Sequence, residues 1–242
     1  MGSYVLRRLL QSVVVVIGVT LVSFLALQAG GDPTYLFVSE RASLEEIEAT
    51  RRALGFDRPL HEQYLSFVGD LAQGDFGQSL SYRQPAMEIV LEALPATIEL
   101  TLFSMALALL LAIPLGVLAA IHRGTAWDGS ITTLAMFGQS VPSFWLGIMM
   151  ILFFGLYLRW LPISGQVPFL TPLMEGDFGT ALGNLPRTIL HLILPGIAVG
   201  TYSLARNTRL VRSSLLEVLE QDYVRTARSK GLPEMRVLVH HA

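Results

Sequence analysis

LTLFSMALALLLAIPLGVLAAI, Leu100–Ile121, runs for 22 residues without a charge. A hydrocarbon layer about 30 Å thick needs about 20 apolar residues of helix to cross it, so this stretch predicts a membrane span. Three other uncharged runs accompany it: Leu9–Leu27, Ile131–Leu158 and Thr188–Ala205. The third run in chain order, Ile131–Leu158, is long enough to tilt or to carry an interfacial end. The fourth, Thr188–Ala205, is marginal in length and contains His191 and Pro195. Pro114, Pro142 and Pro195 sit in or near these runs, where proline is tolerated if neighbouring helices or waters satisfy the carbonyl it frees. Of the 242 residues, 52% are hydrophobic and 15% charged, against about 25% charged in soluble domains. Mean hydropathy is +0.53. The chain therefore reads as an all-α integral membrane protein with four spans.

Basic residues orient those spans. Arg7 and Arg8 precede the first run and Arg123 follows the second. Arg206, Arg209, Arg212, Arg225, Arg228, Lys230 and Arg236 follow the fourth. Four crossings from a cytoplasmic N-terminus bring all three groups to the cytoplasmic side. The intervening loop, residues 30–99, carries 12 acids against 5 bases and faces outward with Arg159 and Arg187. The first run could instead be a signal peptide ending at Leu27-Gln28-Ala29, but its apolar core exceeds the usual 7–15 residues and the cleavage site is poor.

Two short amphipathic helices are expected in the outer loop. Ser43 and Glu46 form a capping-box pattern, Leu44, Ile47 and Leu54 share a helical face, and Gly55 supplies the stop. Leu60, Tyr64, Phe67, Val68 and Leu71 follow Pro59 at three- and four-residue spacings. The loop reads as an extramembrane cap, with docking of an external partner as the alternative.

Most candidate chemistry fails. GDFG occurs at Gly74–Gly77 and Gly176–Gly179, but a kinase site also needs a strand lysine and a glycine-rich phosphate cover, and the only lysine is Lys230. Both copies read as turns with a buried phenylalanine. There is no GxxxxGK[ST] phosphate loop and no HExxH zinc motif, and His240-His241 is too short a cluster for a metal. With no cysteine, disulfides, thiol nucleophiles and Cys-based metal sites are excluded. His191 is either an intramembrane ligand or relay, or a neutral histidine bonded to a neighbouring helix. The centres of the four runs lack Asp, Glu, Lys and Arg, which argues against an ion-coupled carrier or channel of unrelated fold. The same absence argues against a membrane-embedded enzyme.

Residues 221–242, QDYVRTARSKGLPEMRVLVHHA, form a polar segment stopped by Gly231 and Pro233. Thr226, Ala227 and Ser229 are small enough to let another surface approach. Glu217, Glu220, Asp222 and Glu234 dilute its positive charge, which suits a protein groove better than anionic lipid.

The residues resemble the inner-membrane permease subunits of binding-protein-dependent ABC importers, in the dipeptide, oligopeptide and nickel group. The resemblance rests on GDP at Gly31–Pro33, LGFDRPLHEQY at Leu54–Tyr64, GDFGQSL at Gly74–Leu80 and LPATIEL at Leu94–Leu100. It continues through IPLGVLAAIHRG at Ile113–Gly124, VPSFWLG at Val141–Gly147, LPISG at Leu161–Gly165 and DYVRTARSKG at Asp222–Gly231.

It implies a type I importer bundle with four of six expected spans present. The segments would be residues 1–29 (N-terminus and first span), 30–96 (outer loop), 97–212 (core) and 213–242 (an incomplete coupling region), in a bacterial-type inner membrane. The chain would then be a C-terminally truncated form. By resemblance, Asp222, Tyr223, Arg225, Thr226, Ala227, Arg228, Lys230 and Gly231 form the coupling segment seated on an ATPase, with Arg225-Thr226-Ala227 where the family's EAA motif has Glu-Ala-Ala. The implied partners are a second permease, two ABC ATPase subunits, an external binding protein and membrane lipid, and no nucleic acid. ATP would be used by the ATPases, with no cofactor, metal or catalytic residue in this chain. The cargo would be peptides or a related small solute such as a nickel chelate. Gln139, Ser143 and Trp145 border Pro142 and are candidates for lining the path, with ordinary helix packing as the alternative.

Overall fold

The computed structural model describes residues 2–39, 41–79 and 82–240. Leu80, His241 and Ala242 lie outside them. The described residues are helical and divide into two units, one ending at Glu92 and the other beginning at Ala93.

In the first unit, α1 (Gly2–Ala29) is one unbroken apolar helix with no buried residue. A single stripe on it has protein partners. Thr20, Phe24 and Gln28, four residues apart, meet α3 (Leu60–Ala72). Thr20 Oγ1 lies 3.0 Å from the Tyr64 hydroxyl, and Gln28 Nε2 donates to Gln63 Oε1 at 2.8 Å. The Phe24 ring stands 5.5 Å from Tyr64 and 6.2 Å from Phe67. The GDP motif is a helix start. Asp32 accepts from the Thr34 amide and hydroxyl, and Pro33 opens a 3-10 turn, Pro33–Leu36. The capping box of Ser43 and Glu46 is present on α2 (Leu44–Ala53). Gly55, at φ +72°, closes that helix: its amide donates to the Arg52 carbonyl and that of Phe56 to Arg51.

The two GDFG motifs are one device used twice. Gly74 (φ +84°) ends α3, with amides 74 and 75 bonded to the carbonyls of Leu71 and Asp70. Gly176 (φ +84°) ends α7 (Leu170–Met174) by the same pair of bonds, to Leu173 and Pro172. The aspartate of each motif then caps the next turn of chain. Asp75 Oδ1 accepts from the Gly77 amide, and Asp177 accepts from Thr180 at the start of α8 (Phe178–Leu219). Burial of the phenylalanines is not observed: Phe76 and Phe178 are 51% and 63% exposed. The turns are held by backbone bonds and need no aromatic anchor.

The second unit is organised on α8, which at 42 residues extends well past the fourth apolar run at both ends. α4 (Ala86–Ile121) buries Ser104, Ala108, Ala112, Gly116 and Ala120, one residue per turn. That stripe of small side chains lets α4 approach α8 closely at Gly196, Gly200 and Thr208.

The third run, read from its apolarity as a single long segment, is two helices, α5 (Ala126–Ser140) and α6 (Ser143–Met150), the latter continued by a π-helical stretch, Ile151–Tyr157. They meet at an angle of 99°. Pro142 causes the break: it donates no backbone bond and holds Val141 extended at φ −80°, ψ 124°. Among the described residues, three helices are long and apolar enough to cross a membrane, or four if this bent pair counts as one. A separate polar hairpin, α9 (Asp222–Ser229) and α10 (Glu234–His240), comes after α8.

Candidate functional site

α9 begins after Gln221, whose backbone is extended, and carries Asp222 in its first turn, where a carboxylate suits the helix dipole. It ends at Gly231 with φ +75°, a conformation that costs any side chain strain. Val224 and Ala227 are buried against Val237 of α10, with Val218, Leu219 and Leu232 packed around them. Small size at Ala227 suggests, from sequence, a point of close approach for a partner. It is instead the small residue that lets α10 close on α9.

Arg228 has a similar internal role. Its Nη2 donates to Glu234 Oε1 at 2.6 Å and its Nε to Oε2 at 3.2 Å, a two-point clamp across the hairpin. The remaining coupling residues, Asp222, Tyr223, Arg225, Thr226 and Lys230, stand exposed on the outer face. Thr226 bonds back to the Asp222 carbonyl and Arg225 lies 3.5 Å from Asp222. The outer face is thus polar and ordered by its own helix.

The clamp makes the hairpin sensitive to pH. The hydrogen bonds from the Arg228 guanidinium hold the Glu234 carboxyl below its ordinary range, against an opposing desolvation. An acid whose folded pKa is depressed contributes stability above its unfolded pKa, and that contribution is lost as pH falls through the folded value. Amide protection at Val224 and Ala227 is therefore expected to fall as pH drops from neutral into the acid range. In Glu234→Gln that dependence should vanish, as hydrogen exchange corrected for intrinsic rates would read.

Reasoning from sequence missed a row of polar contacts along α5, α8 and the residues that flank them. Arg212 binds both carboxylate oxygens of buried Asp128, at 2.6 and 2.7 Å, and the Gly124 amide adds a third bond at 3.0 Å. Arg209 donates to Gln139 Oε1 at 2.6 Å, and Arg123 pairs with Glu220 at 2.8 Å. The available signal was the spacing of Arg206, Arg209 and Arg212, three residues apart and so near one helix face, which the sequence reading used only to orient the span.

The three path candidates do not gather. Gln139 is engaged by Arg209, and Trp145 is half exposed. Ser143 alone lines a cleft of about 350 Å³ between α6, α8 and the loop at 162–165. His191 lines the same cleft, with Nδ1 2.8 Å from the Arg187 carbonyl of its own helix. The expected bond to a neighbouring helix is replaced by this one, because a carbonyl four residues back lies within reach of the imidazole.

Residues 112–242 match the family described as binding-protein-dependent transport system inner membrane component, and residues 1–101 match the N-terminal domain of such membrane components. The chain is 39% identical to the di/tripeptide transport system permease protein DppB of Pseudomonas aeruginosa, over its whole length and 75% of that relative. It is 38% identical to the dipeptide transport system permease protein DppB of Escherichia coli, with the same coverage. Against the oligopeptide transport system permease protein AppB of Bacillus subtilis it is 37% identical, covering all of this chain and 74% of the relative. These matches run through the apolar helices and the polar hairpin alike, and the chain belongs to the binding-protein-dependent transport system inner membrane components, the multi-pass permease components of ABC transporters.

Proposed function

We propose that the chain is a permease subunit of a peptide importer, forming half of a translocation path with a second permease. An external binding protein delivers the peptide, and two ABC ATPase subunits supply the energy by hydrolysing ATP that this chain does not itself bind. The N-terminus lies in the cytoplasm, as the basic residues beside the first, second and fourth runs favour. The observation that carries the substrate class is similarity along the whole chain to relatives named for dipeptides, tripeptides and oligopeptides.

The α9–α10 hairpin is the ATPase-coupling element in this reading. It has its own small core, an exposed polar face and a direct continuation from α8, so a push on α9 is passed to the helix on which α4, α5 and α6 pack. Asp128 of the second unit is neutralised by Arg212, which disfavours it as an ion-coupling carboxylate.

The test uses Tyr223→Ala and Arg225→Glu, which change the outer face without touching the Arg228–Glu234 clamp. Both variants are expected to reach the membrane with the second permease, to lose at least about tenfold of the co-purifying ATPase, and to lose dipeptide uptake. An interface residue of this kind contributes about 1.4 kcal/mol or more. Retention of the ATPase by both variants would remove the coupling assignment. Arg228→Glu is less informative, because it would open the hairpin whatever α9 binds.

A further inference from the structure

Two cavities of the second unit share a wall at His191. The 350 Å³ cleft beside α6 has Ser143, Ser164, His191 and Pro195 on its lining. A second cavity, of about 160 Å³ between α4, α8 and the loop before α7, is lined by Glu99, Gln166, His191 and Pro195. Gly165 also belongs to both.

Beside the carboxylate of Glu99 and the imidazole of His191, the polar lining is neutral: the hydroxyls of Ser143, Ser164 and Thr188 and the amide of Gln166. Glu99 is 6% exposed, yet only one of its oxygens is committed: Oε1 accepts the amides of Phe169 at 2.8 Å and Leu170 at 2.6 Å. Among the described residues no hydrogen bond reaches Oε2. His191 Nδ1 faces a carbonyl, which can only accept, so Nδ1 carries a proton, and the tautomer with this bond has its lone pair at Nε2. The carbonyl of His191 lacks its i+4 partner, because that residue is Pro195 and has no N–H. No lysine or arginine lines either cavity. Glu99 Oε2 is thus unbonded and open to the smaller cavity, where a cationic donor is the partner that best suits a carboxylate. A metal ion is disfavoured, since among the described residues no group of three or more His, Asp or Glu side chains could hold one. A primary ammonium, with three donors and one charge, fits this set of acceptors.

Resting on the peptide reading above, we infer that the double cavity is a subsite for the protonated α-amino group of the transported peptide. Glu99 Oε2 is its counter-ion, and the carbonyl and Nε2 of His191 are further acceptors. The cleft lies at the lower end of the 300–1,000 Å³ range of small-ligand sites, which suits one end of an extended peptide. Glu99 has a double role: Oε1 fixes the start of α7, and Oε2 reads the substrate.

The chain has no cysteine, so Ser164→Cys introduces its only thiol. In the assembled transporter, solubilised without the binding protein, labelling of this thiol by a maleimide is followed by mass spectrometry of the chain. Dialanine is expected to slow labelling about tenfold, while N-acetyl-dialanine, which lacks the charge, leaves it unchanged; one charged hydrogen bond accounts for a difference of that size. Adding Glu99→Gln, which keeps an oxygen for the two amides, should abolish protection by dialanine with assembly intact. Equal protection by both peptides, no protection by either, or a thiol the reagent cannot reach would each overturn the subsite. Uptake of dialanine by vesicles of the unsubstituted transporter with its binding protein separates the two levels. Uptake without protection removes only the subsite, and absence of uptake removes the peptide reading itself.

Discussion

Arg212→Leu is expected to destabilise the helical core by about 3 kcal/mol, the low end of the cost of breaking a buried ion pair. Asp128 is 7% exposed and receives both bonds of a bidentate clamp from Arg212. Without the guanidinium, the Gly124 amide and the Thr132 hydroxyl remain, at 3.0 and 3.4 Å, and neither carries charge. The Arg212 side chain is 27% exposed, so water entering its place relieves part of the penalty, which is why the low end applies. The double variant Asp128→Leu, Arg212→Leu should recover most of the loss, since it removes the charge along with its partner. Reversible unfolding in mixed micelles, monitored by helicity against denaturant, gives both numbers. Equal destabilisation by the single and double variants would mean that the side chains matter for packing and not for charge.

Gly116→Val is the second large effect, at about 2–3 kcal/mol from overpacking. A Cβ at residue 116 would lie 2.7 Å from the Val211 Cβ and 2.8 Å from the Thr208 carbonyl oxygen. The second obstacle is backbone, so it cannot swing aside, and α4 must separate from α8. Neighbouring helices in lipid gain little from hydrophobicity and depend on close contact, which makes a separation here especially harmful. Gly147→Ala is the control. Its Cβ would meet the Ala198 Cβ at an ordinary 3.6 Å, and alanine is the better helix former by about 1 kcal/mol, so that variant should match or exceed the parent in thermal stability. Both glycines lie in apolar helices; at 116 even the Cβ is blocked across the helix pair, before the two further methyls of valine are counted, and at 147 it is not.

Because α8 runs unbroken from the Asp177 cap to Leu219, and Glu220 just beyond it is tied to Arg123, the clamp at Asp128 joins α5 to the same helix from which the hairpin hangs. In the proposed function this is the route by which a force on α9 reaches the cleft at Ser143 and His191. Arg212→Leu should then weaken uptake more than it weakens ATPase retention, which distinguishes loss of transmission from loss of docking.

Sequence alone determined whatever is closed by hydrogen bonds within a few residues. The capping box of Ser43 and Glu46 and the stops at Gly55 and Gly231 are of this kind, because each is satisfied by groups at most five positions away. The existence of the apolar helices was equally legible, since in lipid an unbonded backbone forces helix on any long apolar run.

Tertiary structure decided the rest. It turned the third run through 99° at Pro142, paired Asp128 with an arginine 84 residues away, and set Glu99 against amides 70 and 71 residues on. It also buried Ala227 between α9 and α10 and tied the exposed Arg228 to Glu234 across the hairpin. In a soluble domain the contrast between apolar and polar positions would have marked which helix faces meet. Here lipid and protein interior are equally apolar, so one side of a helix reads like the other, and only the packing of small residues and the long-range polar contacts reveal which face was inside.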